Sequence, residues 1–177
     1  NLPGVADLPE HLDLARHRDH KGTRELVARR VVMGLLAALA VAALLEAFGQ
    51  SARTSSAAAE RATLEVSAPP RLRGGLFFQG KFTVRAQGAI ENATLVLAPG
   101  WMENTHINTI EPAPTEEASR DGDLALSFGP LAAGDELVLY VQFQVNPTNV
   151  GRRSADVALY DGDELLTRVD RTVTIFP

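Results

Sequence analysis

The chain has 177 residues, 17 Lys and Arg against 22 Asp and Glu, a formal net charge of −5, and no cysteine. Without cysteine it has no disulfide, no iron–sulfur cluster and no thiolate metal site, so an exported domain must be held by packing alone. The acidic balance, with no basic stripe along the sequence, argues against nucleic acid and against adhesion to anionic lipid.

Residues 1–23 read as a polar cytoplasmic tail. Asp7-Leu8-Pro9-Glu10 starts a short helix with Leu8, Leu12 and Ala15 on one face. His11, His17 and His20, with Asp13 and Asp19, are the densest set of metal-capable side chains. They sit in a short tail with no second ligand motif, so the expectation is a solvated tail and no metal.

Residues 24–48 are expected to form a transmembrane helix. Val31 to Leu45 is an unbroken apolar run, and extension to Phe48 gives about 27 Å of helix against a hydrocarbon core of about 30 Å. Five Leu, three Val and one Phe favour insertion by about 3–5 kcal/mol. Thr23 suits the N-cap and Glu25 the first turn. Arg16, Arg18, Lys21, Arg24, Arg29 and Arg30 precede the run, while only Arg53 and Arg61 follow closely, which puts the N-terminus in the cytoplasm. A cleaved signal peptide or a twin-arginine signal is the weaker reading, because the polar region before the run is too long. Gly34, Ala38 and Ala42 recur at i, i+4 and i+8 and form a ridge of small residues suited to close approach of a second membrane helix.

Residues 49–61 (GQSARTSSAAAER) read as a small, polar linker. Residues 62–177 then alternate with period two, the mark of half-buried strands. Strands are expected over 63–67, 76–86, 93–98, 106–110, 124–128, 137–145, 154–159 and 169–175. Asp121-Gly122 and Asp161-Gly162 suit tight hairpins, and Asn146-Pro147 ends a strand. Eight short strands with no intervening helix predict a mainly β fold: an immunoglobulin-like antiparallel β-sandwich preceded by one transmembrane α-helix. The expected core is Phe78, Phe82, Val84, Leu95, Leu97, Leu126, Phe128, Leu139, Val141, Phe143, Val157, Leu159, Val173 and Ile175.

The segment Leu131-Ala132-Ala133-Gly134-Asp135-Glu136-Leu137, followed by an alternating strand and Asn146-Pro147-Thr148, resembles the E–F corner and F strand of fibronectin type III and related bacterial immunoglobulin-like domains. The resemblance implies that Leu131 plugs the core and Gly134 makes the turn. Leu137 stands where many such domains carry a tyrosine. Tail, helix and sandwich together are similar to single-pass proteins of actinobacteria to which an accessory role beside larger membrane proteins is ascribed. That likeness implies architecture, not activity.

No catalytic constellation emerges. Ser154, Asp156 and His106 lack a nucleophile elbow. His106, the one histidine after the apolar run, cannot alone make a copper centre. Asp121-Gly122-Asp123 and Asp161-Gly162-Asp163-Glu164 are better turns than calcium loops. Glu111 to Glu117 reads as an extended acidic loop. Trp101 is either a lid on the core or an exposed aromatic contact for a partner of the ectodomain. The expected function is that of a non-enzymatic accessory subunit without cofactors. It would pack through Gly34, Ala38 and Ala42 against a polytopic integral membrane protein within the lipid bilayer, its sandwich over that partner's outer face. A second copy is another occupant the ridge allows, and a free-standing anchored module for a cell-envelope ligand is the alternative.

Overall fold

The computed structural model describes residues 23–45 and 50–177, in two units that divide between Ala47 and Phe48. The expected short helix and histidine set of the tail, and Glu46 to Phe48, lie outside the described residues.

The first unit contains helix α1, Thr23–Leu44. Within its segment Arg24–Leu44 an 18-residue stretch has a mean hydropathy of 2.0, and the helix is long and apolar enough to cross a membrane. Val31, Val32 and Met33, and then Leu35 and Leu36, are each more than half exposed. Consecutive helical residues point about 100° apart, so the apolar surface is continuous around the helix.

The second unit is an immunoglobulin-like β-sandwich of thirteen strands. One sheet has the order β1 (Arg53–Ala58), β2 (Ala62–Ala68), β4 (Phe77–Ala86), β9 (Glu136–Val145), β6 (Thr105–Glu111). The other runs β12 (Glu164–Val169), β11 (Val157–Asp161), β5 (Ala93–Leu97), β8 (Asp123–Ser127), β7 (Glu116–Arg120). A small third sheet joins β10 (Gly151–Ser154), β13 (Thr172–Phe176) and β3 (Arg71–Arg73), the last two being parallel.

Register aligns the inward parity of neighbouring strands. Phe82 faces Val66 on one side and Leu139 on the other, and Val84 faces Leu64 and Leu137. Side chains directly opposite share a face, so these rows build a continuous apolar layer. All the expected core residues are buried except Phe128, which is half-buried at its edge. Leu64, Val66, Leu72, Ile90, Val145, Val169 and Trp101 also belong to the core.

Three segments differ from expectation. The stretch read as a linker contains β1, paired with β2 from Arg53↔Ala68 to Ala58↔Thr63. Small Ser and Ala side chains gave no alternation signal, but they suit an edge strand. The acidic loop is shorter than expected: Glu111 ends β6 and Glu116 begins β7. The strand expected over 154–159 breaks at Ala155-Asp156, where the Asp156 carboxylate accepts the Arg171 N–H at 2.8 Å.

The turns follow their chemistry. Asp121 and Gly122, with φ of 54° and 91°, connect β7 to β8 as the two positive-φ residues of a tight hairpin. In the second hairpin Asp161 still belongs to β11 and Gly162 takes the first turn position, with φ of 58°. At the corner implied by the fibronectin resemblance, Gly134 has φ of 95° and the Asp135 carboxylate accepts the Ala132 N–H at 2.8 Å. Leu131 exchanges both backbone hydrogen bonds with Ile90 at 2.9 Å and packs half-buried against the core.

Candidate functional site

Trp101 belongs to the core, which corrects its reading as a partner contact. The turn Pro99–Trp101 drops the indole between the sheets, where it is 3% exposed. Its ring lies 5.2 Å from Phe82 and 5.3 Å from Phe143, and Nε1 donates to the Ala155 carbonyl at 3.0 Å. A buried indole with a satisfied N–H has nothing left to offer a partner. The small cavity beside it measures about 10 Å³, at the limit for one water.

Gly34, Ala38 and Ala42 lie along α1. Gly34 has no heavy atom within 4 Å of where a Cβ would stand, Ala38 is exposed and Ala42 is half-buried. The ridge is a line of small side chains between bulky exposed ones.

The polar residues considered for chemistry are committed to structure. Asp161 Oδ1 accepts the N–H groups of Glu91 and Asn92 at 2.8 and 3.0 Å, and Oδ2 pairs with Arg61. Arg61 also reaches Glu164 at 3.0 Å and the Ala89 carbonyl at 2.6 Å. Burial raises the Asp161 pKa, but the Asn92 N–H, the Arg61 guanidinium and the Glu91 N–H outweigh it and hold the carboxyl below its ordinary range. Asp156 follows the same logic: burial is overcome by the Arg171 N–H, Arg168 and Ser154, and its pKa falls. The imagined triad is not assembled, because His106 lies on β6 opposite Gln144 and Ser154 on β10 opposite Thr172. Arg120 stacks 4.0 Å above Tyr160 and donates to the Gly162 carbonyl, tying the two aspartate-glycine hairpins together. Among the described residues no group of three His, Asp or Glu is placed to hold a metal.

Arg171 is half-buried and donates to the carbonyls of Arg53, Val66 and Ala68 and to Ser55 Oγ at 2.7–3.1 Å. Burial lowers its pKa. The guanidinium fork thus clamps β1 and β2 to the connection between β12 and β13.

One surface feature has no counterpart in the sequence expectations. At the end of the sandwich where Gln50 joins it, Leu76, Phe77, Val150 and Phe176 are each about half exposed. Gly74 N–H bonds the Phe176 carbonyl and Gly75 N–H the Val145 carbonyl, which draws β3, β4, β9 and β13 together there. The Gln50 amide, with its nitrogen turned toward the Phe77 carbonyl and its oxygen toward the Arg73 N–H, lies at 3.3 Å from both. Arg71, Leu72, Arg73, Phe176 and Pro177 line an open cleft of about 280 Å³ at this end. The available signal was Phe77-Phe78: adjacent strand residues face opposite sides, so one phenylalanine had to leave the core.

No protein-family model matches the sequence, and no curated protein matches it. Among solved structures the chain is similar to the CARDB domain of a Pyrococcus furiosus protein in complex with di-metal ions, 13% identical, spanning 69% of this chain and 95% of that one, with a TM-score of 0.43. It is also similar to a non-cellulosomal cohesin from Archaeoglobus fulgidus, 13% identical over 72% and 92% of the two chains, TM-score 0.39. A chitin-binding domain of a Pyrococcus furiosus chitinase is 12% identical over 64% and 99%, TM-score 0.37. At such identities and scores the likeness carries no site, ligand or partner to this chain.

Proposed function

We propose that the protein is a non-enzymatic accessory subunit of a larger integral membrane complex. Helix α1 spans the bilayer with its N-terminus in the cytoplasm, and the sandwich lies on the outer side. The observation that carries this reading is α1 itself, whose apolar side chains are exposed all round while Gly34, Ala38 and Ala42 keep one line of it slim. Lipid chains are as apolar as leucine, so hydrophobicity alone does not join helices in a bilayer; close packing does, and small residues permit it. The partner is a polytopic membrane protein whose helix lies against that line.

The test is a pull-down of variants at matched expression. Ala38→Leu should insert normally, because leucine is favourable in the membrane, yet release the partner. Leu39→Ala should retain it. Retention by Ala38→Leu at the wild-type level would refute the ridge as the interface. Loss of nothing at all, with no co-purifying chain from the wild type, would favour a free-standing anchored module.

A further inference from the structure

The sandwich has a second feature that points to the membrane. Of the six large apolar or aromatic side chains its described residues leave exposed, Leu76, Phe77, Val150 and Phe176 share one end, and only Tyr140 and Leu165 lie elsewhere. The topology brings them together. Phe176 is aligned with Arg73 in the parallel pair β3–β13, and Val150 precedes Gly151, the partner of Ile175. Leu76 and Phe77 follow Arg73 by way of Gly74 and Gly75, which turn under Pro147.

Charge is segregated to the same end. Residues 49–177 hold sixteen acidic and eleven basic groups. Yet the segments that build this end, 50–53, 69–79, 146–153 and 172–177, contain five arginines and no Asp or Glu. Glu103, the acidic residue of the neighbouring loop, is paired with Arg153 at 2.6 Å. An exposed apolar and aromatic cluster rimmed by guanidinium groups has the composition of an interfacial membrane contact. Covalent reach limits where it can be: Gln50 follows Leu45 by five residues, at most ~18 Å of extended chain.

We propose that this end of the sandwich is a second membrane contact. Leu76, Phe77, Val150 and Phe176 enter the boundary between headgroups and acyl chains, and the arginines beside them, Arg71 and Arg73 foremost, meet lipid phosphate. The contact rests on α1 being the membrane anchor, and it fixes which end of the sandwich faces the bilayer. Basic side chains within a Debye length of an anionic leaflet are attracted to it, so the contact strengthens with anionic lipid and weakens with salt.

The chain contains no cysteine, so a single engineered one reports cleanly. The full chain carrying Leu76→Cys, spin-labelled, is reconstituted in phosphatidylcholine vesicles with and without phosphatidylglycerol. A label at Ala133→Cys, in the exposed turn at the opposite end, serves as reference. The expected result is that the Leu76→Cys label collides more with oxygen than with a water-soluble nickel chelate, the reverse of the Ala133→Cys label, and more so with phosphatidylglycerol. Adding Phe77→Ser and Phe176→Ser should return it to the aqueous pattern. Both residues are about half exposed, and unchanged Trp101 fluorescence shows that the variant is folded. If the chain floats with the vesicles but both labels behave alike, the second contact is refuted and the anchor stands. Protection of the Leu76→Cys label in native membranes only would assign this end to a protein and overturn the proposal. A chain that fails to float with vesicles would overturn the anchor and this contact together.

Discussion

Replacing Gly100 by alanine tests how Trp101 is held. A Cβ on Gly100 would stand 2.1 Å from the Ser154 carbonyl oxygen, 2.9 Å from its carbon and 3.2 Å from Arg153 Cβ. A Cβ essentially never stands closer than 3.0 Å to another heavy atom, so the backbone of β10 must retreat by roughly 1 Å. The neighbouring Ala155 carbonyl accepts the indole N–H at 3.0 Å, and that retreat opens the bond. Overpacking costs about 1–3 kcal/mol, and a buried indole N–H left unpaired costs about 1–3 kcal/mol more. The expected loss is therefore about 2–6 kcal/mol, a large part of a domain stability of about 5–15 kcal/mol. The assay is urea unfolding of the full chain in detergent micelles, followed by fluorescence of Trp101, the one tryptophan. Gly100→Ala should lower the midpoint and shift the native emission to the red. Gly34→Ala, with nothing within 4 Å of the new methyl, should leave both unchanged. Wild-type midpoint and emission in Gly100→Ala would refute the close approach of the turn to β10.

Phe143 is fully buried, 4.9 Å from Phe78 and 5.3 Å from Trp101; Phe143→Ala should cost about 3–5 kcal/mol in the same assay, and Lys81→Ala, half-buried over Tyr140, less than about 1 kcal/mol. Because the folded protein holds Asp161 below its ordinary pKa, the stability it contributes is complete above the unfolded-state value of about 4 and is lost as pH falls below it. Asp161→Asn should therefore lower the urea midpoint at pH 7 and show a shallower acid limb than the wild type, and parallel acid limbs would contradict this. For topology, a cysteine at exposed Ser56 on β1 should react with an impermeant reagent on intact cells while one at Leu14 does not; the opposite pattern would reverse the proposed orientation.

The fold was legible where strands are buried on one face and exposed on the other. In β4 and β9 the inward parity reads directly from Phe78, Phe82 and Val84, and from Leu139, Val141 and Phe143, because burial imposes period two on the residues. The helix was legible for a different reason: Val31 to Leu45 is an unbroken apolar run, long and apolar enough to cross a membrane. β1 was not, since Thr54, Ser55 and Ser56 owe their strand conformation to the partner β2 and to the Arg171 clamp from 116 residues away. Trp101 was ambiguous because a lone aromatic after Pro99-Gly100 fits a lid or a contact equally well. Only the distant Ala155 carbonyl decides between them.

The apolar end of the sandwich shows how local signals and assembled surfaces diverge. Alternation assigns Val173 and Ile175 to the core and thereby turns Phe176 outward, just as Phe78 turns Phe77 outward. Each outward residue taken singly is ordinary, since much of any protein surface is apolar. Meaning arises only when Leu76, Val150 and Phe176, far apart in sequence, converge through the parallel pair β3–β13 and the bend from β9 to β10. The charge behaves in the same way. Net charge sums over a whole surface, whereas a bilayer meets one end of it. Arg71, Arg73 and Arg152 come from two separate segments and form no stripe in the sequence. Composition therefore pointed away from anionic lipid, while the topology gathers basic residues at the end where the chain enters the sandwich from α1.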